Sequence, residues 1–277
     1  MTVREIQYTA QGGQSIVPMV DDAYEIVFVA SRNMVSIFER GKMIRVFKAH
    51  HKLDISLALA VLTKQRLLLS STEEETKIWN VSDPQNPTFV TTTVLAGGQW
   101  ACTFRERIHT LPTTECVTVI GDSCANLIQK SGTVELYTSS TTLFISDRKE
   151  VTFYKEPCQK KTSCCRIMPR DETLISQIAA TDSVLAICCG TLVSVFDISS
   201  PECPMLHEFE INFDRRITAC GDIFAIYDSS FIELFDSRFE KRGLTLFVEV
   251  GEIVNLALAP QYLFVLGTER TAIVIVD

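Results

Sequence analysis

The stretch KIWNVSDPQNPTFV, residues 77–90, returns 117 residues later as SVFDISSPECPMLH, residues 194–207. Trp79 falls on Phe196, Asn80 on Asp197, Pro84 on Pro201 and Pro87 on Pro204. A chain that repeats itself at a fixed distance is assembled from equivalent units, and the unit length narrows the architectures open to it. Apolar–aromatic–acidic endings recur as MVSIFE (34–39), TKIWNV (76–81), EVTFYKE (150–156), LVSVFDI (192–198), FIELFDS (231–237) and TAIVIVD (271–277). The residue after the aromatic stands at 39, 80, 155, 197 and 236, with Asp277 in the matching place of the last unit. The steps are 41, 75, 42, 39 and 41 residues. The long step leaves room for one more unit, and CVTVIGDSCANLIQ (116–129) is a degraded copy, so the chain holds seven.

Each ending follows an apolar run: YEIVFVAS (24–31), QRLLLSS (65–71), TLFISD (142–147), SVLAICCG (183–190), DIFAIYD (222–228) and QYLFVLG (261–267). Earlier runs precede several of these, as in ISLALAVL (55–62), LISQIAA (174–180) and IVNLALA (253–259). Val, Ile, Phe, Tyr and Thr dominate, and polar clusters end the runs, which is the chemistry of strands. Seven units of three or four strands predict an all-β, seven-bladed β-propeller of four-stranded antiparallel blades, forming one domain over residues 1–277. The N-terminal VREIQYT (3–9) alternates like a strand and has no unit of its own. It is expected to pair with 271–276 and close the ring between the chain's two ends, since an open ring would leave two unpaired edges. Proline cannot donate to a ladder, so each P-x-x-P is read as the end of a third strand rather than as a proline-rich ligand.

One unit carries a family likeness. In residues 47–81 a His precedes an Ile/Leu-rich strand, followed by L-L-S-S, a polar turn and I-W-N. This unit resembles a WD40 repeat, in which a His, a Ser or Thr, a turn Asp and the Trp form one hydrogen-bonded set. The resemblance assigns three of those parts to His51 or His50, Ser70 and Trp79. The acidic cluster 73–75 stands where the turn Asp would be, and W-N replaces W-D. The other units resemble the repeat more loosely. The whole chain reads as a divergent WD40-like propeller, a resemblance that implies a module for binding other proteins.

The net charge of −8 argues against nucleic acid as a partner, because phosphate binding needs a dominant positive field. No apolar run approaches the roughly 18 residues of a membrane span, and MTVREIQYTA lacks a signal-peptide core, so a cytoplasmic protein without stable membrane insertion is expected. Ten cysteines include the adjacent pairs 164–165 and 188–189. Neighbours in a strand point to opposite faces, so these suit neither one metal nor a mutual disulfide, and reduced, buried thiols are expected. No nucleophile elbow, zinc-binding motif or phosphate loop is present. The expectation is therefore of no catalytic residue, no metal, no cofactor and no small-molecule substrate.

Four segments are candidates for partner binding. The basic segment YKEPCQKKTSCCRIMPRDE (154–172) reads as the longest inter-strand loop and offers Lys155, Lys160, Lys161, Arg166 and Arg170. QWACTFRERIHT (99–110) offers Trp100, Arg105 and Arg107, residue types enriched in interface hot spots. LFDSR (234–238) resembles the W-D-x-R ending by which some WD40 proteins dock on the adaptor of cullin-RING ubiquitin ligases, which points to Arg238. FDRRI (213–217) resembles the F-R-R-G of phosphoinositide-binding propellers only superficially, since Asp214 intrudes and Ile217 replaces Gly. The leading reading is a non-enzymatic scaffold or adaptor. The alternatives are a ligase substrate receptor and a propeller enzyme with a central-pocket site.

Overall fold

The computed structural model describes residues 3–9, 12–20, 25–51, 58–63, 65–72, 74–93, 101–104, 107–113, 116–120, 125–129, 135–138, 142–154, 164–168, 174–212, 215–220, 223–236, 239, 241–259 and 262–276. Within them every regular element is a β-strand, 28 in all, arranged in seven four-stranded sheets. Strand β1 (Val3–Tyr8) is set apart below. The first sheet holds β2 (Ser15–Val20), β3 (Glu25–Ser31), β4 (Met34–Glu39) and β5 (Lys42–Lys48). The second holds β6 (Ala58–Leu62), β7 (Leu67–Ser71), β8 (Thr76–Asn80) and β9 (Thr88–Thr93). Next come β10 (Ala101–Phe104), β11 (Arg107–Thr113), β12 (Cys116–Ile120) and β13 (Ala125–Gln129). The fourth sheet has β14 (Glu135–Thr138), β15 (Leu143–Ser146), β16 (Val151–Tyr154) and β17 (Cys164–Ile167). The fifth has β18 (Gln177–Ala180), β19 (Val184–Cys189), β20 (Leu192–Asp197) and β21 (Met205–Glu210). The sixth has β22 (Arg216–Cys220), β23 (Ile223–Tyr227), β24 (Phe231–Asp236) and β25 (Lys241–Phe247). The last contains β26 (Ile253–Ala259), β27 (Tyr262–Gly267) and β28 (Thr271–Val276), and β1 completes it as the fourth strand.

The repeat signature falls where it was expected. Glu39, Asn80, Asp197 and Asp236 are the final residues of β4, β8, β20 and β24, each the third strand of its sheet. The 117-residue doublet repeats bond for bond. Asn80 Oδ1 accepts from the Ser82 amide at 2.9 Å, and Asp197 Oδ1 accepts from Ser199 at 2.8 Å. Val81 donates to the Arg66 carbonyl and Ile198 to that of Ser183, both at 2.8 Å. Asn86 closes a turn on Asp83, as Cys203 does on Ser200, both at 3.1 Å. The shared letters are shared because the carboxylate or amide at the strand end and the prolines after it specify one turn.

Two compact units divide the chain by contact. The first comprises Met1–Pro112, Thr118–Cys124 and Val248–Asp277; the second comprises Thr113–Val117 and Ala125–Phe247. In the first unit, Phe28, Ile37, Val61 and Leu68 join the first two sheets in one apolar cluster. Val27, Val29, Phe38, Phe264 and Ile273 join the first sheet to the last. Such clusters bury β3 on both faces, and its run of five buried residues explains why the sequence shows continuous apolar stretches instead of alternation. A fully buried Phe or Ile contributes about 1.5–3 kcal/mol. The Gly12–Gly13 pair, without phosphate-loop context, has a packing reason. A Cβ on Gly12 would stand 2.2 Å from the Thr268 carbonyl oxygen, while the Gly13 amide donates to Gly267 at 3.1 Å.

In the second unit Phe144, Phe153, Ile178, Leu185 and Ile187 knit the fourth sheet to the fifth. Ala186, Val193, Val195, Phe224 and Ile226 knit the fifth to the sixth. Cys189 belongs to the former cluster and Cys188 to the latter, so the adjacent thiols do point to opposite faces, both buried. Native protein should therefore show these two labelling with iodoacetamide only at the rate of unfolding, whereas denatured protein labels all ten cysteines. Mass spectrometry of tryptic peptides reads this directly, and rapid native labelling of the 188–189 peptide would contradict their burial.

Candidate functional site

The WD40-type set in the second sheet is present as a connected chain of hydrogen bonds. Its histidine is His50, fully buried, while His51 beside it is exposed. Trp79 Nε1 donates to Ser70 Oγ at 3.1 Å, and Ser70 Oγ lies 3.0 Å from His50 Nε2. His50 Nδ1 lies 3.0 Å from Glu75 Oε1, so Glu75 takes the part of the turn Asp. The indole can only donate, so Ser70 Oγ accepts from it, while Nε2 also lies 3.1 Å from the Ser70 carbonyl, which can only accept. The Glu75 carboxylate likewise can only accept, so an acceptor stands on each side of the ring. Burial pushes the His50 pKa below its ordinary value, partly opposed by the Ser70 carbonyl and Glu75. Burial of Glu75 works against its charge, but Lys77 at 3.1 Å and His50 outweigh it and lower its pKa. Asn80 is not part of the chain; it caps the following turn. The set ties β7, β8, the turn between them and the segment after β5 together.

Most of the binding residues named from the sequence lie outside the described residues: Lys155, Lys160, Lys161, Arg170, Trp100, Arg105 and Arg238. Arg107 opens β11 opposite Phe104. Arg166 is corrected: it does not sit in a long loop but in β17, the outer strand of the fourth sheet, 68% exposed and 3.8 Å from Glu150. The sequence hid β17 because its four residues, CCRI, are too few to show a strand's alternation inside a basic segment. In FDRRI, Arg215 pairs with Glu233 at 3.0 Å and lies over the Phe231 ring at 4.6 Å, so it is engaged inside the protein. Among the described residues no group of three or more His, Cys, Asp or Glu is placed to hold a metal ion. No helix in them is long and apolar enough to cross a membrane.

Two surfaces emerge that the repeat pattern did not single out. In the first unit, β9 is the last strand of its sheet, and residues 88–92 (Thr, Phe, Val, Thr, Thr) are all exposed. Phe89 is 54% exposed and Val90 52%. The Phe89 ring continues an edge-to-face row from Phe47 through Trp79, with centroids 4.8 and 5.6 Å apart. In the second unit, a cavity of about 370 Å³ opens between β21 and the sixth sheet, lined by Glu208, Glu210, Arg215 and Glu233 over Phe235 and Phe239. The absence of any charge from TFVTTT was visible in the sequence; its place at a sheet edge was not.

No protein-family model and no curated protein sequence matches the chain. Solved structures do. The β-propeller domain of Cps50 (Swd1) from Myceliophteria thermophila superposes with a TM-score of 0.70 at 12% identity, covering 98% of each chain. Virginiamycin B lyase from Staphylococcus aureus gives a TM-score of 0.70 at 12% identity, covering 99% of each chain. With its seven four-stranded sheets and these two structural likenesses, the chain has a β-propeller fold.

Proposed function

We propose that the chain is a non-enzymatic cytoplasmic scaffold that binds other proteins, and that β9 is one of its docking edges. The chemistry of β9 carries this reading. An outermost strand presents unpaired N–H and C=O groups, and proteins usually blunt such edges with charge. The outer strands β1, β5, β17, β21 and β25 all carry Arg, Lys or Glu, whereas β9 has none; β13 shares that lack. An extended segment of a partner adding to β9 gains main-chain hydrogen bonds, with Phe89 on one face and Val90 on the other for selectivity. One structural neighbour is a lyase, and a fold of this kind hosts enzymes and binding modules alike, so the site argues function where the fold does not.

Affinity purification from the native cell tests the proposal with a Val90→Lys/Thr92→Lys variant. Both positions are exposed, so stability should stay within about 0.5 kcal/mol of the parent. Recovery of the main partner should fall at least about tenfold, a loss of about 1.4 kcal/mol. Equal recovery by parent and variant removes β9 from the interface. A Lys160→Glu/Lys161→Glu variant run alongside tests the basic segment for an acidic partner, whose loss should shrink as salt rises. Recovery of a cullin-RING adaptor that disappears with Arg238→Ala would replace the general scaffold by a ligase receptor.

A further inference from the structure

We infer that β9 pairs with the β9 of a second copy of this chain, antiparallel across a two-fold axis, joining two second sheets into one of eight strands. The inference rests on the reading of β9 as a docking edge and names what occupies that edge in the purified protein. Among the described residues β9 pairs only with β8, from Thr76 against Thr93 to Asn80 against Thr88. Its other side therefore offers the N–H and C=O groups of an outermost strand. Residues 88–92 are all exposed there, Phe89 by 54% and Val90 by 52%.

Charge selects the occupant. A two-fold axis normal to the sheet sets each residue of an edge strand against itself or against a residue an even number of places away. A charge on such a strand meets its own copy, and like charges directly opposite destabilise the pair. In β5, a pairing centred on Arg45 sets Arg45 against Arg45 and Lys42 against Lys48, all exposed. In β21, a pairing centred on Glu208 sets that carboxylate against itself. The chain carries a net charge of −8, so two copies repel on the whole and meet most easily at an edge that adds no charge. The sequence of β9, TFVTTT, meets that condition in every register. Five of its six residues are β-branched and the sixth is Phe, and cross-strand Thr–Thr and Phe–Thr pairs favour a ladder. The other uncharged outer strand, β13 (ANLIQ), has one β-branched residue.

The competing explanation is that a bulge already guards the edge, since bulges twist edge strands away from new pairing. Val90 is such an extra residue, between Phe89 opposite Trp79 and Thr91 opposite Ile78. The same irregularity recurs where β5, β21 and β25 pass the matching aromatics Phe38, Phe196 and Phe235. It belongs to the repeat, whereas the missing charge is particular to β9. Six residues make a contact smaller than the roughly 1,200–2,000 Å² of stable interfaces. The dimer should therefore be weak, with a Kd of about 10–100 µM, and a docking partner can displace it.

Sedimentation velocity of the purified chain between about 5 and about 200 µM reads the equilibrium directly. The parent should pass from monomer to dimer across that range. Val90→Lys/Thr92→Lys and Val90→Glu/Thr92→Glu should each stay monomeric while keeping the parent's Tm, because both positions are exposed. An equimolar mixture of the two should dimerise at least as well as the parent, since Lys now faces Glu. Val46→Lys, at a residue of β5 that is 38% exposed, should leave the parent's Kd within about twofold. A parent that stays monomeric at the highest concentration overturns the inference. So does a mixture no better than its components, which would trace the loss to damage within β9, or an equal loss in Val46→Lys, which would trace association to surface hydrophobicity alone. The β9 pull-down fails separately. A monomeric parent whose partner recovery still falls in that pull-down leaves β9 as an edge for another protein and removes only the second copy. Dimerisation lost in the Lys variant, with partner recovery unchanged, supports the second copy and takes the other partner off β9.

Discussion

Removing residues 1–10 should cost the protein its soluble monomer. Strand β1 pairs β28 from Val3 against Val276 to Tyr8 against Ala272, and Thr9 adds a bond to the Thr271 carbonyl at 2.9 Å. Deletion leaves β28, TAIVIV, as a bare edge of β-branched residues without a single charge, the composition that invites edge-to-edge association. Losing a handful of hydrogen bonds, each worth about 0.5–1.5 kcal/mol net, should lower Tm by about 5–15 °C. Size-exclusion chromatography and a thermal melt check both effects. Adding Ile275→Lys to the truncated chain should restore solubility without restoring Tm, because it blunts the edge and replaces no pairing. A truncated protein that melts within about 2 °C of the parent would show that β1 contributes little.

Replacing His50 by Ala should destabilise the protein by about 2–4 kcal/mol, because Trp79 and Ser70 lose a relay and the site is left with a void. The same residue makes stability depend on pH. The folded state holds His50 below its ordinary pKa, so as pH falls through about 6.5 the unfolded chain takes up a proton that the folded chain refuses. Stability is therefore full above that value and declines as the medium becomes more acidic. Glu75 acts in the same sense further down, since its lowered pKa contributes stability that is lost as pH falls through the folded value. Melts at pH 7.5 and 5.5 should show a larger drop in the parent than in His50→Gln. An identical drop in both would assign the acid sensitivity to other groups.

Much of the fold was legible because the third strands carry both a packing and a turn requirement. Asn80 and Asp197 must cap the same turn, so their positions announced strand ends to the residue. Cys188 and Cys189 were legible for a geometric reason, as neighbours on a strand buried on two faces. Outer strands escaped notice because a half-exposed strand tolerates almost any residue; CCRI of β17 passed for loop, and Arg166 with it. In the WD40-type set the Ser and the Trp could be named, but Glu75 was resolved only by its distance to His50, since residues 73–75 are all acidic. The groove beside β21 was illegible. Its lining comes from β21 of one sheet and from β24 of the next, and no linear motif spans that junction.

The clasp between β1 and β28 also sets a clock. The bond from the Thr271 amide to Thr9 Oγ1 bridges 262 positions of sequence. At a synthesis rate of about 5–20 residues per second, β1 exists for roughly 13–50 s before its partner strand does. Closing so long a loop adds little equilibrium cost, because the entropy grows only with the logarithm of length. The delay is kinetic: β1 is made long before the sheet it completes can form. Through that interval Arg4 and Glu5 keep the waiting strand charged, so that the segment which seals the fold does not first seal onto a neighbouring chain.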